Sequence, residues 1–202
     1  MTANITRALI LEKYDDKERI NRALDWLVDV QKEDGGWHCF ESGRGTLDCW
    51  EPLSAFAALP NIQRTRSIKK SIERGAEFYL KRNLVREGST KYPPWFRLHY
   101  PIHYYYDILV GLEVLASLGY AKDKRIGPAI QSLRRKRKAD GRWNLDASNP
   151  DIPKSLPGSS YSSDPPYEPY PAIPFLLEKV GGPSKIITLR ALRVLKYVEE
   201  NA

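Results

Sequence analysis

Histidine, cysteine and methionine are scarce in this chain of 202 residues, which holds three, two and one of them. Three histidines, His38, His99 and His103, leave little material for metal or acid–base chemistry. The two cysteines, Cys39 and Cys49, form no CxxC pair. A chain of this length buries enough core to fold without a disulfide, so both are expected as free thiols. No apolar run reaches the roughly 18–20 residues that a bilayer-spanning helix requires. Met1 to Ile10 lack the charged, apolar and small-residue order of a signal peptide, and the expected location is the cytoplasm. No glycine-rich phosphate loop is present. What remains is a globular composition, 42% hydrophobic and 28% charged, expected as one domain over 1–202.

The formal net charge is +7, and much of the excess is local. Arg134, Arg135, Lys136, Arg137 and Lys138 form an unbroken basic run. Such a run attracts nucleic acid, anionic lipid or a pyrophosphate group. It also suits a solvated helix C-terminus, where cations meet the negative end of the dipole. Aromatic residues do not interleave it, so nucleic-acid binding ranks last among these readings.

A sixteen-position pattern stands near the start. Arg22-Ala23 is followed after two residues by Trp26-Leu27, after three by Gln31, after three by Gly35 and after one by Trp37. A weaker copy begins at Arg74-Gly75 and continues with Phe78, with Tyr79 in the aliphatic position and Asn83 replacing the glutamine. There Gly88 follows, and Thr90 stands where a tryptophan belongs. A third copy starts at Pro128 and keeps Ala129, Leu133, Gly141 and Trp143, whereas Ser132 and Arg137 depart from the pattern. The starts lie 52 and 54 residues apart. Such a near-constant period is the mark of stacked supersecondary units.

Each unit reads as two helices. Residues 16–33 carry Ile20, Leu24, Leu27 and Val28 at helical spacing. Asp15 or Asp16 caps that helix, and Asp34-Gly35-Gly36 ends it, because glycine accepts a left-handed C-cap. Further helices are predicted near 50–60, 66–83, 103–119, 123–138 and 184–200, with a short one near 3–13. Those near 53, 103 and 184 are the more apolar and form an expected inner layer. Those near 16, 66 and 123 are more charged and form an outer layer. Residues 144–175 contain eight prolines, from Pro150 to Pro174, which exclude a regular helix through most of the segment. With Tyr161, Tyr167 and Tyr170, it is expected as a loop or lid.

Through these residues the chain resembles the terpenoid cyclase and protein prenyltransferase superfamily, by way of the glutamine–tryptophan repeat of squalene and oxidosqualene cyclases. The match over 22–37 is complete, and the weaker copies extend it over roughly 20–145. The resemblance implies an all-α fold, an α/α toroid of inner and outer helices. This chain supplies about half of a closed ring. It is then either an open half-toroid or a protomer that completes its concave face as a homodimer. The resemblance also implies structural roles for Gln31 and Trp37, and for Trp143 in the third copy. The glutamine bonds backbone at a neighbouring helix and the tryptophan packs beside it. An apolar ligand of isoprenoid type on the concave inner face is implied as well.

The superfamily's catalytic motifs do not carry over. The Asp-x-Asp-Asp acid is missing, and the corresponding stretch from Thr46 to Pro52 offers Asp48 without a neighbouring carboxyl of that motif. Asp48-Cys49 lacks the spacer of the zinc-binding Asp-x-Cys pair. Asp15-Asp16 is followed by Lys17, Glu18 and Arg19, which breaks the Asp-Asp-x-x-Asp pattern.

Two constellations remain. A polar cluster at the inner-helix heads gathers His38, Cys39, Asp48 and Cys49 with His99, His103 and Asp107. Its donor types suit zinc, although His99 and His103 straddle Pro101 and do not share a helix turn. The same residues also read as small buried thiols and hydrogen-bonded loop histidines. No cofactor is expected, with zinc as the alternative. An aromatic set, Trp50, Trp95, Tyr104, Tyr105 and Tyr106, with Phe96 and Tyr100, suits carbocation stabilisation, an apolar pocket or plain packing. Arg97, the basic run and Lys185 offer a weak diphosphate site. If the protein is a catalyst, Asp48, His103 and Asp107 are the expected catalytic residues, and Trp50, Trp95, Tyr104, Tyr105 and Tyr106 bind ligand. The competing reading is a non-catalytic helical-repeat scaffold that binds a protein partner.

Overall fold

The computed structural model describes residues 1–38, 43–86, 92–102, 106–147 and 178–200. Seven α-helices dominate the described residues: α1 (Thr2–Leu11), α2 (Lys17–Asp29), α3 (Glu51–Ala58), α4 (Arg66–Lys81), α5 (Ile108–Ser117), α6 (Gly127–Arg135) and α7 (Lys185–Glu200). Two-residue strands β1 (Trp143–Asn144) and β2 (Pro183–Ser184) pair antiparallel. The fold is therefore mostly helical, as the periodicity predicts. No helix among the described residues is long and apolar enough to cross a membrane.

Local chemistry sets most helix ends. The Asp16 carboxylate accepts from the Arg19 amide at 3.0 Å and opens α2. Thr65 does the same for α4 through the Ile68 amide, at 3.3 Å. The helix expected from 103 starts at Ile108 instead. Asp107 is extended there and caps α5 by accepting from the Val110 amide at 2.8 Å. The helix expected from 123 begins as a 3-10 turn over Lys124–Ile126, capped by Asp123. It ends at Arg135, so the basic run straddles the helix end.

Helices α1, α3, α5 and α7 pack as successive neighbours in one row, and α2, α4 and α6 pack against that row. Burial follows this order. From Ile108 to Leu112 every residue of α5 is buried, as is α3 from Glu51 to Phe56. In α2 only the stripe Ile20, Leu24 and Leu27 is buried. The apolar and charged helices thus separate as the sequence predicts, with α1 added to the apolar row.

The first and third repeat copies share one geometry. The Trp37 indole N–H donates to the Leu27 carbonyl at 2.8 Å, and the Trp143 indole N–H donates to the Leu133 carbonyl at 2.8 Å. Gly35 and Gly141 both take positive φ, 91° and 83°. A side chain at Gly35 would also strike the Arg74 carbonyl. Gln31 Nε2 donates to the Gly35 carbonyl at 2.8 Å, and Arg137 Nε donates to the Gly141 carbonyl at 3.2 Å from the equivalent position. Gln31 additionally reaches the Ser71 carbonyl of α4 at 2.9 Å and so ties one unit to the next. Trp26, by contrast, is half exposed and contributes little to the core.

The segment expected as a lid falls mostly on 148–177, outside the described residues. Its two flanks meet. Leu145 N donates to the Gly182 carbonyl at 2.9 Å, and Gly181 N donates to the Leu145 carbonyl at 2.7 Å.

Candidate functional site

A cleft opens where the residues before α3, the loop before α5 and the stretch after β1 come together. Asp48, Tyr92, Pro94, Trp95, Arg97, His99, Tyr106 and Ala147 line it, and its free volume is about 30 Å³. That is room for about one water. Residues 97–99 are brought there by pairing with the end of the β1 stretch. Asp146 N donates to the Leu98 carbonyl at 2.8 Å, and the Asp146 carboxylate accepts from Leu98 N at 3.0 Å and from Lys136 Nζ at 2.7 Å.

Asp48 forms the acidic wall. The Trp95 indole N–H donates to its Oδ1 at 3.0 Å, and the Thr46 hydroxyl donates to Oδ2 at 3.4 Å. Burial raises its pKa above the ordinary carboxylate value, although bonds from Trp95, the Tyr106 main chain and Thr46 oppose the rise. Glu51, in the first turn of α3, is buried, whereas Asp48 is half-buried. Burial pushes its carboxyl up to about 7, and the neighbouring Asp48 adds to the effect. Both carboxyls therefore favour the neutral form more than exposed ones do.

The basic wall is His99. Behind it lies Asp107, fully buried, whose Oδ2 accepts from the His99 main-chain N–H at 3.0 Å and sits 2.8 Å from His99 Nδ1. Burial alone would raise the Asp107 pKa. The charge and hydrogen bond of His99, the Arg190 guanidinium and the Val110 amide outweigh it and hold the carboxyl below its usual range. Arg190 comes from α7, where its Nε lies 2.9 and 3.0 Å from the Glu113 carboxylate oxygens of α5. A buried ionic chain across α5 and α7 thus backs the cleft's imidazole.

Tyr106 contributes its ring. Its hydroxyl is committed to the Leu84 carbonyl at 2.8 Å, and burial lifts its pKa well above the ordinary phenol. The Trp95 and Tyr106 rings meet edge to face, 6.0 Å apart. Gly111 allows this placement, because a side chain there would strike the Tyr106 hydroxyl.

Of the expected catalytic residues, Asp48 lines the cleft and Asp107 stands behind His99. His103 lies outside the described residues. Of the expected ligand-binding aromatics, Trp95 and Tyr106 line the cleft. Trp50 is buried at the N-cap of α3 and is not part of the lining, and Tyr104 and Tyr105 lie outside the described residues. Among the described residues, no group of three or more His, Cys, Asp or Glu is placed to hold a metal ion. Of the zinc candidates, Cys39 and His103 lie outside the described residues, and His99 and Asp107 are engaged with each other. Glu51 and Arg190 were not singled out in the sequence. The spacing Asp48-x-x-Glu51 was the available signal for the first. Arg190 inside the stripe Ile187, Ala191 and Val194 was the signal for the second.

No family model matches the chain, nor does any curated protein or solved structure. The resemblance rests on the signature residues.

The buried Glu51 carboxyl has a measurable consequence. A carboxyl with an ordinary value of 4.5 that titrates at about 7 when folded binds its proton more tightly in the folded state. Stability therefore falls as pH rises between those values and levels off above them. Glu51→Gln stays neutral. It is expected to change stability little near pH 4 and to raise it by roughly 2–3 kcal/mol at pH 8. Urea unfolding at the two pH values checks this, and an equal shift at both would refute it.

Proposed function

We propose that the chain is a terpenoid-cyclase-like helical-repeat domain, a half-toroid, whose cleft receives the apolar end of an isoprenoid-type ligand. The observation that carries this reading is Asp48, a half-buried carboxyl with a raised pKa, held by the Trp95 indole with the Tyr106 ring on the same cleft. A carboxyl shifted toward its neutral form beside aromatic rings is better placed than an exposed one to give a proton to an alkene, and aromatic faces favour adjacent positive charge. His99, oriented by Asp107, lines the same space. The shared geometry of the first and third repeat copies supports the family reading independently of the cleft. The present volume of about 30 Å³ admits about one water, so even a terminal prenyl group requires the walls to part.

Isothermal titration with a short prenyl alcohol tests the proposal. Saturable binding is expected, weakened about tenfold by Trp95→Phe, which deletes the indole donor to Asp48. Asp48→Asn keeps an acceptor for that indole and should bind normally, while losing any proton-dependent turnover. Absence of saturable binding by the folded wild type would sink the proposal. The small volume favours a second reading, a non-catalytic scaffold for a protein segment. That reading predicts no prenyl binding, and capture of a partner that survives Asp48→Asn.

A further inference from the structure

The cleft leaves the outward face of α7 unexplained. Ile187, Ala191, Val194 and Leu195 are buried against the core. On the opposite side, Lys185, Leu189, Leu192 and Lys196 follow one another at helical spacing. Leu189 is 59% exposed, Leu192 43% and, at the edge, Tyr197 46%. Lys185, Arg193 and Lys196 are exposed among them. The end of α6 joins this surface, since Arg134 Nη2 lies 3.7 Å from the Glu199 carboxylate of α7. Glu199 and Glu200 are offset by Arg134 and Lys196, the latter pair at 3.4 Å. Lys185 and Arg193 have no ion-pair partner among the described residues.

We propose that this face, the exposed leucines of α7 with their surrounding lysines and arginines, docks reversibly on an anionic lipid surface. Apolar side chains flanked by cations are the pattern of helices that lie in the headgroup layer: the leucines enter the acyl boundary, and the cations remain at the phosphates. The net charge of +7 draws the whole molecule to a negative surface. A second copy meeting this patch about a two-fold axis would set Lys185 and Arg193 against the same cations, which disfavours self-association. Nucleic acid would satisfy the cations and leave the leucines without a role. The buried side of α7 belongs to the core, so the helix docks without leaving the fold. The proposal is independent of what enters the cleft.

Co-sedimentation with vesicles tests it, using equal parts phosphatidylglycerol and phosphatidylcholine, against phosphatidylcholine alone. The wild type should bind the anionic vesicles at low salt, and about tenfold less in half-molar salt or to the neutral vesicles. Leu189→Ser with Leu192→Ser, and separately Lys185→Gln with Arg193→Gln, should each lower binding about tenfold with unchanged circular dichroism. These positions face solvent, so folding is retained. Failure to bind anionic vesicles at low salt overturns the proposal. So does binding that both double variants retain, or a wild-type dimer in sizing that the serine pair dissociates without any vesicle binding.

Discussion

Trp37→Ala and Trp143→Ala are each expected to destabilise the protein by about 3–5 kcal/mol. Both side chains are buried, Trp143 completely. Trp37 packs against Phe56 of α3 at a ring distance of 6.1 Å, and its ring occupies the space a side chain at Gly75 would need. Each indole also has a second task. Leu27 lies in the last turn of α2, where its carbonyl has no helical partner, whereas the Leu133 carbonyl in the last turn of α6 also accepts from the Lys136 amide at 3.2 Å. The Trp37 indole N–H satisfies the first carbonyl, and the Trp143 indole N–H adds a second donor to the other. Trp→Phe keeps most of the apolar contact but leaves the Leu27 carbonyl unpaired, so roughly 1–2 kcal/mol should be lost at Trp37, and less at Trp143, whose acceptor keeps the Lys136 amide. Urea unfolding of the four variants separates packing from hydrogen bonding. If Trp37→Phe matches the wild type, the indole bond does not stabilise the end of α2. Because only the Leu133 carbonyl has a second donor, phenylalanine should cost a larger share of the alanine loss at Trp37 than at Trp143.

Some of this was legible in the sequence for a definite reason. The helices α2, α4 and α7 were visible because their apolar stripes recur at the helical period and their caps are local. Gln31, Trp37 and Trp143 were visible because a turn used twice leaves the same residues at the same offsets. The second copy diverges where the chain turns through Asn83 and Leu84, both at positive φ, which the signature does not encode. The start of α5 lies later than the periodicity predicts, because the aromatic and apolar run from 103 to 119 masks a one-residue cap at Asp107. The cleft histidine was the harder case. His99 bridges to Ala147 in a parallel pairing, so a contact far along the chain sets its place. No local pattern separates it from His103. Glu51 reads locally as a helix-start carboxylate favoured by the dipole. It is the packing of α1 over α3 that accompanies its burial and inverts that expectation.

Asp107→Ala is expected to cost about 3–5 kcal/mol, as removal of a buried charge from a bonded network does. The change deletes the cap of α5, the acceptor for the His99 main chain and the partner of the His99 imidazole together. It also leaves Arg190 balanced by Glu113 alone. Asp107→Asn preserves an oxygen for the Val110 amide but presents no charge to His99, and roughly half that loss should remain. The pH dependence distinguishes the charge from the shape. The folded carboxyl titrates below its ordinary value of 3.8, so the stability it contributes is present above that value and disappears as pH falls through the folded one. Wild type and Asp107→Asn should therefore differ most near neutrality and converge in acid. Parallel stability curves down to about pH 2 would mean that Asp107 acts only as a hydrogen-bond acceptor and gives His99 no ionic backing.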